Sequence, residues 1–368
     1  MGKQVKTPRF YVDMVSFLHA TGQTGWDATN KGGVDLLYMN PSNPNYPNYS
    51  SETFFVIGHP NDNPPKTSFP INFCALLNHN FASDTNRVEV IGKKGFEQED
   101  GENLRLHDVG YSNVLNTNSS SDNINPSFNG TSIFTFTEQD EYWRSFEIYY
   151  GDGWDNENHQ LGSMVIGKYW DAPNSPDLSL TMSRRFDGIK RQKTIGGKTL
   201  ANIYYDGATE WTMNNWGETY KYPPFELDYM GGGGTSELAN RVRAKSGLGR
   251  KGLRSWNLTF SYISGDNMWT DYESSSTAPF FDSAYNSEID GDPPIDPEQR
   301  KNPMLSDDSF NFVWICTLGG TLPFIFQPDN TNNNPDQFSI CTFRGNSLSV
   351  KQVAFNTYNL SVTIDEVA

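Results

Sequence analysis

Short runs of alternating polar and apolar residues, separated by clusters of turn-forming residues, constrain the fold of this chain more than any other feature. Residues 255–262 alternate without interruption, and residues 310–316 place their larger side chains at every second position. This period of two predicts β-strands. The same period predicts strands at 54–57, 88–91, 132–137, 145–150, 164–169, 322–326, 338–343 and 358–364.

Loop-forming residues separate these runs and set the expected architecture. Gly, Pro, Asn, Asp and Ser cluster at 41–51, 116–129 and 328–336, among other places, and no long window keeps the spacing of an amphipathic helix. Many short strands with such loops predict an all-β protein made of β-sandwiches or barrels. Since 368 residues exceed one typical core, we expect two domains, 1–175 and 176–368. The boundary is a locally basic, Pro- and Gly-punctuated crossing within 171–197.

The charge and hydropathy of the chain exclude some partners. The formal net charge is -16, so the surface repels phosphate backbones and we expect no nucleic-acid partner. No apolar run reaches the length of a membrane span, and the first residues lack the apolar core of a secretory signal. We therefore expect synthesis in the cytoplasm and no membrane partner.

A glycine-rich basic segment at 230–254 departs from the acidic character of the rest. Four consecutive glycines precede five basic residues and a further one, Arg254, against the single acid Glu237. Glycine runs cannot hold a rigid element, so we expect a flexible loop in the second domain, with one helical turn at 237–243. If the chain assembles with other subunits, as the resemblance described below implies, we expect these basic residues to contact acidic surfaces of a neighbouring subunit or of another protein of the assembly, and a solvated loop is the alternative. The interaction candidates are Arg241, Arg243, Lys245, Arg250 and Lys251.

Local signatures of catalysis and cofactor binding are missing from the sequence. The five histidines are scattered, and no nucleophile elbow, Walker loop or dinucleotide fingerprint occurs. We therefore predict that the protein is not an enzyme and holds no cofactor. The alternative is calcium, because Asp152, Asp155 and Glu157 place oxygen ligands at short spacing, although not in the EF-hand pattern.

Three cysteines, Cys74, Cys316 and Cys341, lie in apolar runs. We interpret them as small buried hydrophobic residues. A single Cys316–Cys341 disulfide is the alternative, and the short spacing of a zinc site is absent.

The last third of the chain contains a recognisable series of strands. In order, they are a Trp-centred strand (LRSWNLTF, 253–260), LGGTLPFIFQP at 318–328, a Cys-containing strand (FSICTF, 338–343) and an acidic-ended strand (LSVTIDEV, 360–367). This series resembles the distal-tail and tail-tip proteins of long-tailed bacteriophages, including the lambda-type minor tail proteins, over 194–367. The resemblance implies a belt-like β domain that closes a ring, commonly of six subunits, at the end of the tail tube. The basic insertion is a departure from that family.

The first half is similar to another kind of domain. The segments FCALLNHNF (73–81), RVEV (87–90), WRSFEIYY (143–150) and GSMVIG (162–167) resemble discoidin-like, galactose-binding-like jelly rolls. Such a resemblance implies loops at one end that bind glycans, or a scaffold without that role.

Two hypotheses of function follow, with a third kept beside them. The first is a structural virion protein of a phage tail, at the distal tail, tail tip or baseplate, whose partners are further copies of itself and other tail proteins. The second is a carbohydrate- or receptor-binding module that acts in host adsorption through the first half, with loop aromatics such as Trp154 as sugar platforms. An accessory domain of a secreted glycosidase is the third, which the missing signal segment disfavours.

Overall fold

The protein is described here by a computed structural model that is built mostly of β-strands. It describes residues 5–20, 27–29, 39, 53–58, 69–77, 87–94, 103–105, 112–113, 131–141, 143–151, 161–185, 189–203, 253–270, 308–333 and 337–367. The strands are β1 (Arg9–Asp13), β2 (Asp27–Thr29), β3 (Thr53–Gly58), β4 (Phe69–Leu77), β5 (Arg87–Lys94), β6 (Asn103–Arg105), β7 (Ser112–Asn113), β8 (Thr131–Glu141), β9 (Trp143–Gly151), β10 (Ser163–Asp171), β11 (Thr181–Arg185), β12 (Ile189–Lys193), β13 (Thr199–Ile203), β14 (Leu253–Ser264), β15 (Phe324–Gln327), β16 (Ser339–Phe343), β17 (Ser349–Ala354) and β18 (Thr357–Glu366). The described helices are short: α1 (Met14–Ala20), α2 (Gly265–Met268) and α3 (Phe310–Cys316). The prediction of an all-β class is confirmed at this level.

One large antiparallel sheet organises the chain. Among the described residues it has 11 strands: ten follow the order β11-β14-β18-β16-β15-β1-β10-β4-β8-β7, and β17 pairs with β18. A second sheet of five strands has the order β2-β3-β9-β5-β6, and β12 and β13 form a two-stranded sheet. Strands from both sides of the expected boundary at residue 175 share the large sheet, and the boundary itself stays a prediction.

Strand β1 lies at the centre of the large sheet and joins its two halves. Phe10 pairs with Trp170 of β10 on one side and with Phe326 of β15 on the other. The guanidinium of Arg9 donates to both carboxylate oxygens of Asp171 at 2.7 Å and fixes the end of the β1–β10 pair. The first strand of the chain is therefore held by partners far along the sequence.

Both faces of the sheet are buried near its centre. In β1, Phe10 and Val12 enter one hydrophobic cluster and Tyr11 enters the other. A strand with two buried faces has no polar positions to alternate with apolar ones. This is why the sequence Phe10-Tyr11-Val12 carries no period of two.

Toward β14 and β18, one face of the sheet is buried and the other is more exposed. Trp256, Leu258 and Phe260 of β14 lie in the first cluster, and the intervening Asn257 is exposed. The alternation of polar and apolar residues at 255–262 and 358–364 results from this one-sided burial. The strand predictions there are confirmed. The prediction at 322–326 was right from residue 324 onward, since the strand begins directly after Pro323, which has no N–H to donate.

Residues 310–316 form helix α3, so the strand prediction there was wrong. The hydroxyl oxygen of Ser309 accepts a hydrogen bond from the Phe312 N–H at 3.4 Å and caps the helix. Phe310, Val313 and Cys316 lie three residues apart and are buried, which is a helical spacing. A run this rich in large side chains fits both the strand period and the helix period, and the Ser309 cap favours the helix.

The cysteine prediction is confirmed. Cys74, Cys316 and Cys341 are buried and free of disulfide bonds. Burial raises the pKa of each thiol well above its usual range, so they are packing residues and the Cys316–Cys341 bridge is not formed.

Asp13 ends β1 and begins α1 as a buried carboxyl. Its Oδ1 accepts hydrogen bonds from the Val15 and Ser16 N–H groups, each at 3.1 Å, and its Oδ2 accepts from the Ser16 hydroxyl at 2.5 Å. Burial raises the pKa of Asp13 to about 7, and the three hydrogen bonds only partly oppose this rise. The neutral acid is therefore the stable form at mildly acidic pH.

Asp13 makes the stability of the protein fall as the pH rises. The folded state keeps the Asp13 proton up to about pH 7, whereas the unfolded chain loses it near pH 4. The free energy of unfolding should then decrease by up to about 1.4 kcal/mol per pH unit across this window and level off above it. Urea unfolding at about pH 5 and about pH 8 should show a smaller decrease for Asp13→Asn, because the amide stays neutral and still accepts hydrogen bonds. Equal decreases for both proteins would contradict the assignment.

Candidate assembly surface

The end of the large sheet at β11 is an open edge in the described part of the chain. All five residues of β11 are exposed, and Met182 keeps 42% of its surface. Its one described neighbour is β14, where Arg185 pairs with Leu253. An edge strand presents unpaired N–H and C=O groups that another chain can bind.

A basic hairpin follows this edge directly. We call it the arm: β12 and β13 with the turn between them, residues 189–203. The strands pair from Ile189 with Ile203 to Lys193 with Thr199. They pair with each other and with no other described strand. Residues 191–201 are all exposed, so both faces of the arm meet solvent.

The turn of the arm is well specified by its sequence. The Thr194 N–H donates to the Lys198 carbonyl at 2.8 Å, and the Gly197 N–H donates to the Thr194 carbonyl at 2.9 Å. The Thr194 hydroxyl oxygen also accepts from the Lys198 N–H at 3.1 Å. Gly197 has a φ of 81°, which glycine adopts without strain. The arm is therefore a defined local structure.

The arm carries positive charge and two exposed apolar side chains. Residues 181–203 contain six basic residues and one acid, in a chain whose net charge is -16. Arg191, Lys193 and Lys198 are exposed. Ile195 in the turn is fully exposed, and Leu200 keeps 56% of its surface. Exposed apolar side chains gain free energy when a partner buries them.

Two arginine–carboxylate pairs brace the sheet beside the open edge. Arg254 Nε and Nη2 donate to the two carboxylate oxygens of Glu366, both at 2.9 Å, and Nη2 also donates to the Phe338 carbonyl at 3.1 Å and to Ser339 Oγ. These contacts join β14, β16 and β18. Arg254, the last basic residue of the segment 230–254, therefore holds the sheet together.

The second brace is more exposed. Arg344 donates to both carboxylate oxygens of Asp365, at 2.6 and 2.7 Å, and to the Ser255 hydroxyl at 3.1 Å. The hydrogen bonds from Arg344 lower the pKa of Asp365, and the charge of Arg185 acts in the same direction. Strand β11, which precedes the arm, thus pairs with a strand, β14, that both arginine–carboxylate pairs contact.

Exposed aromatic residues lie at the opposite end of β14. Tyr262 sits in the irregularity between Phe260 and Ile263, has a φ of 60° and keeps 76% of its surface. Phe355 lies in the turn between β17 and β18 and is 96% exposed. A left-handed tyrosine is strained, and such strain is often found where a side chain is aimed at a partner.

Other polar groups of the described core have structural roles. The Lys168 side chain is 1% exposed, and its ammonium pairs at 2.9 Å with the carboxylate of Asp308, whose side chain is exposed. In the described part of the chain, no group of three or more His, Cys, Asp or Glu side chains is placed to hold a metal ion. None of the described helices is long and apolar enough to cross a membrane.

The residues that the sequence put forward as sites fall in undescribed parts of the chain. Arg241, Arg243, Lys245, Arg250 and Lys251, and the calcium alternative at Asp152, Asp155 and Glu157, all lie outside the described residues, so they stay predictions. The arm was not singled out as a site, although its basic residues and its Gly196-Gly197 turn were visible in the crossing at 171–197.

Comparison with known proteins identifies no relative. No protein-family model, curated protein or solved structure matches the chain.

Proposed function

We propose that the protein is a structural subunit of a bacteriophage tail that assembles with further copies of itself into a ring at the distal tail or tail tip. The observation that carries this proposal is the open edge at β11 with the basic arm beside it, on a chain that is otherwise strongly acidic. A braced sheet edge and a projecting hairpin together form a surface suited to joining subunits.

The placement of the resembling strands gives further support. The Trp-centred strand is β14, the Gly-Gly-to-Pro-Phe segment leads into β15, the Cys strand is β16 and the acidic-ended strand is β18. These four lie in the order β14-β18-β16-β15 within one sheet. They therefore form a single continuous wall, as a belt-like domain requires.

The finer domain assignment belongs to the same proposal. We take residues 1–175 as jelly-roll-like and 176–368 as belt-like. Strand β1 pairs with β15 of the second part, and Phe10 and Phe326 belong to one cluster. In this arrangement the two parts share a hydrophobic cluster within the subunit. The particle that contains them is a virion, assembled from chains made in the host cytoplasm.

Imaging of the purified full chain tests the proposal. Negative-stain micrographs should show closed rings, and native mass spectrometry should give one dominant oligomer, with six copies expected from the resemblance. A protein that stays monomeric, or that forms only open chains, at all accessible concentrations would reject the ring. Hydrolysis of a polysaccharide by the same sample would show that a structural role is incomplete.

Tyr262 and Phe355 favour a second candidate function, a carbohydrate- or receptor-binding module, although they lie in the second half of the chain and not in the first half, where the sequence placed that module. Exposed aromatic rings offer apolar faces on which sugars stack, and both residues present most of their surface. Glycan binding that is lost in Tyr262→Ser and Phe355→Ser, by a protein that forms no rings, would support this module over the ring. The absence of glycan binding in a ring-forming protein would support the first proposal.

A further inference from the structure

The arm has more local order than its exposure can account for. Residues 191–201 are exposed on both strands, and the arm pairs with no other described strand. An isolated two-stranded hairpin is marginally stable in water and normally requires packing against something else. Yet the turn is closed by several hydrogen bonds and by Gly197. A specified hairpin with two open faces is therefore a surface prepared for a partner.

The charge of the arm selects the chemistry of that partner. The arm contributes Arg191, Lys193 and Lys198, whereas the whole chain is at -16. An acidic surface is therefore the complement, and a second copy of this chain supplies one. A nucleic acid is disfavoured, because the rest of the chain would repel its phosphates.

The sign of the charge also restricts the symmetry of the contact. A two-fold contact in which two arms meet would place like charges against each other. A contact in which the arm of one copy reaches a different, acidic surface of another copy avoids this, and the proposed ring requires that contact to run head-to-tail. Such contacts continue from subunit to subunit and either close into a ring or run on as a filament.

Apolar groups on the arm supply the short-range part of the contact. Ile195 is fully exposed in the turn, and Leu200 is half exposed on β13. Ionic contacts at a surface are screened within about 8 Å at physiological salt. A stable contact therefore needs the apolar side chains to be buried by the partner as well.

We infer that the arm of one copy docks head-to-tail on an acidic surface of a second copy, with Ile195 and Leu200 as apolar anchors and Arg191, Lys193 and Lys198 as ionic contacts. This inference rests on the proposed function and names the element that joins the subunits. The open edge at β11 ends only three residues before the arm begins.

The test compares two variants of the full chain that each carry a Lys→Glu change and the replacement of an exposed β-branched aliphatic residue by Ser, at different places. The arm variant is Lys193→Glu with Ile195→Ser. The matched control is Lys351→Glu with Val353→Ser on β17, where Lys351 is exposed and Val353 keeps 39% of its surface. Circular dichroism and thermal midpoints should match wild type for both, because the changed side chains lie at the surface. Sedimentation velocity over a concentration series then measures assembly.

The arm variant should need a concentration at least about tenfold higher than wild type to assemble. The control should stay within about twofold of wild type, and added salt should weaken assembly of the wild type. Carbodiimide cross-linking of mixed isotope-labelled and unlabelled chains should join Lys193 or Lys198 of one copy to a carboxylate of another.

Failure of the arm and failure of the ring give different results. If the wild type forms rings and the arm variant forms them equally well, the arm inference is overturned and the ring stands. If the wild type forms open chains that the arm variant loses, the arm inference stands and the ring is rejected. A wild type that is monomeric throughout the series overturns both.

Discussion

Replacement of Phe10 by alanine is expected to lower the free energy of unfolding by about 3–5 kcal/mol. Phe10 is fully buried, and its ring lies 5.2 Å from that of Phe326 and 5.7 Å from that of Trp170. Alanine removes the ring and leaves a cavity at the point where β1 joins β10 and β15. Urea unfolding followed by tryptophan fluorescence measures the change.

Phe355→Ala is the matched control, because it makes the same chemical change at a ring that is 96% exposed. It should change the free energy of unfolding by no more than about 0.5 kcal/mol. Because Phe10 contacts strands from both halves of the chain, its loss should shift the unfolding of the large sheet as one transition. Equal effects of the two substitutions, or a shift confined to one of two separate transitions, would contradict the shared core.

Replacement of Arg254 by methionine is expected to cost about 3 kcal/mol of stability. The side chains of Arg254 and Glu366 are 14% and 12% exposed, so the substitution leaves a mostly buried carboxylate without its cation. It also removes the donors to Phe338 and Ser339, which tie β14 to β16. Thermal or urea unfolding at neutral pH measures the loss.

Arg344→Met provides the comparison for this second effect. Arg344 pairs with Asp365 in a similar two-bond geometry, but its side chain is 62% exposed, so water replaces the lost contacts. Its stability should stay close to that of wild type. Adding Glu366→Gln to Arg254→Met should recover part of the loss, because the uncompensated charge is removed. No recovery in the double variant would mean that the effect comes from the lost packing of the arginine stem or from the lost donors to Phe338 and Ser339, and not from the uncompensated charge.

The sequence predicted most clearly those strands that have one buried face and one exposed face. The alternation in β14 and β18 belongs to this class, and both strands were found. Strand β1 was not predicted, because burial on both faces removes the period of two. Residues 310–316 were assigned the wrong element, since their apolar positions fit a strand and a helix alike and the Ser309 cap is only a single-residue signal.

The candidate surface was harder to predict than the fold. The basic crossing at 171–197 was interpreted as a boundary, because a hairpin exposed on both faces shows no apolar periodicity. Its clearest sequence signal was the Gly196-Gly197 pair flanked by Lys193 and Lys198. The structure shows that β12 pairs with β13 and that β11 pairs with β14. The charges of this crossing therefore lie on a separate, exposed pair of strands.

The position of β1 has a consequence for how the chain reaches its fold. The Tyr11 hydroxyl donates to the side-chain oxygen of Gln327 at 2.9 Å, across 316 residues of sequence. A ribosome-bound chain therefore holds β1 paired on one side only, with β10, until β15 has been synthesised. Contacts of such long range slow folding, and an unpaired strand edge promotes aggregation during the delay. Chains truncated before β15 should therefore accumulate as aggregates. Synthesis of β15 is the step that covers the unpaired edge of β1 in the nascent chain.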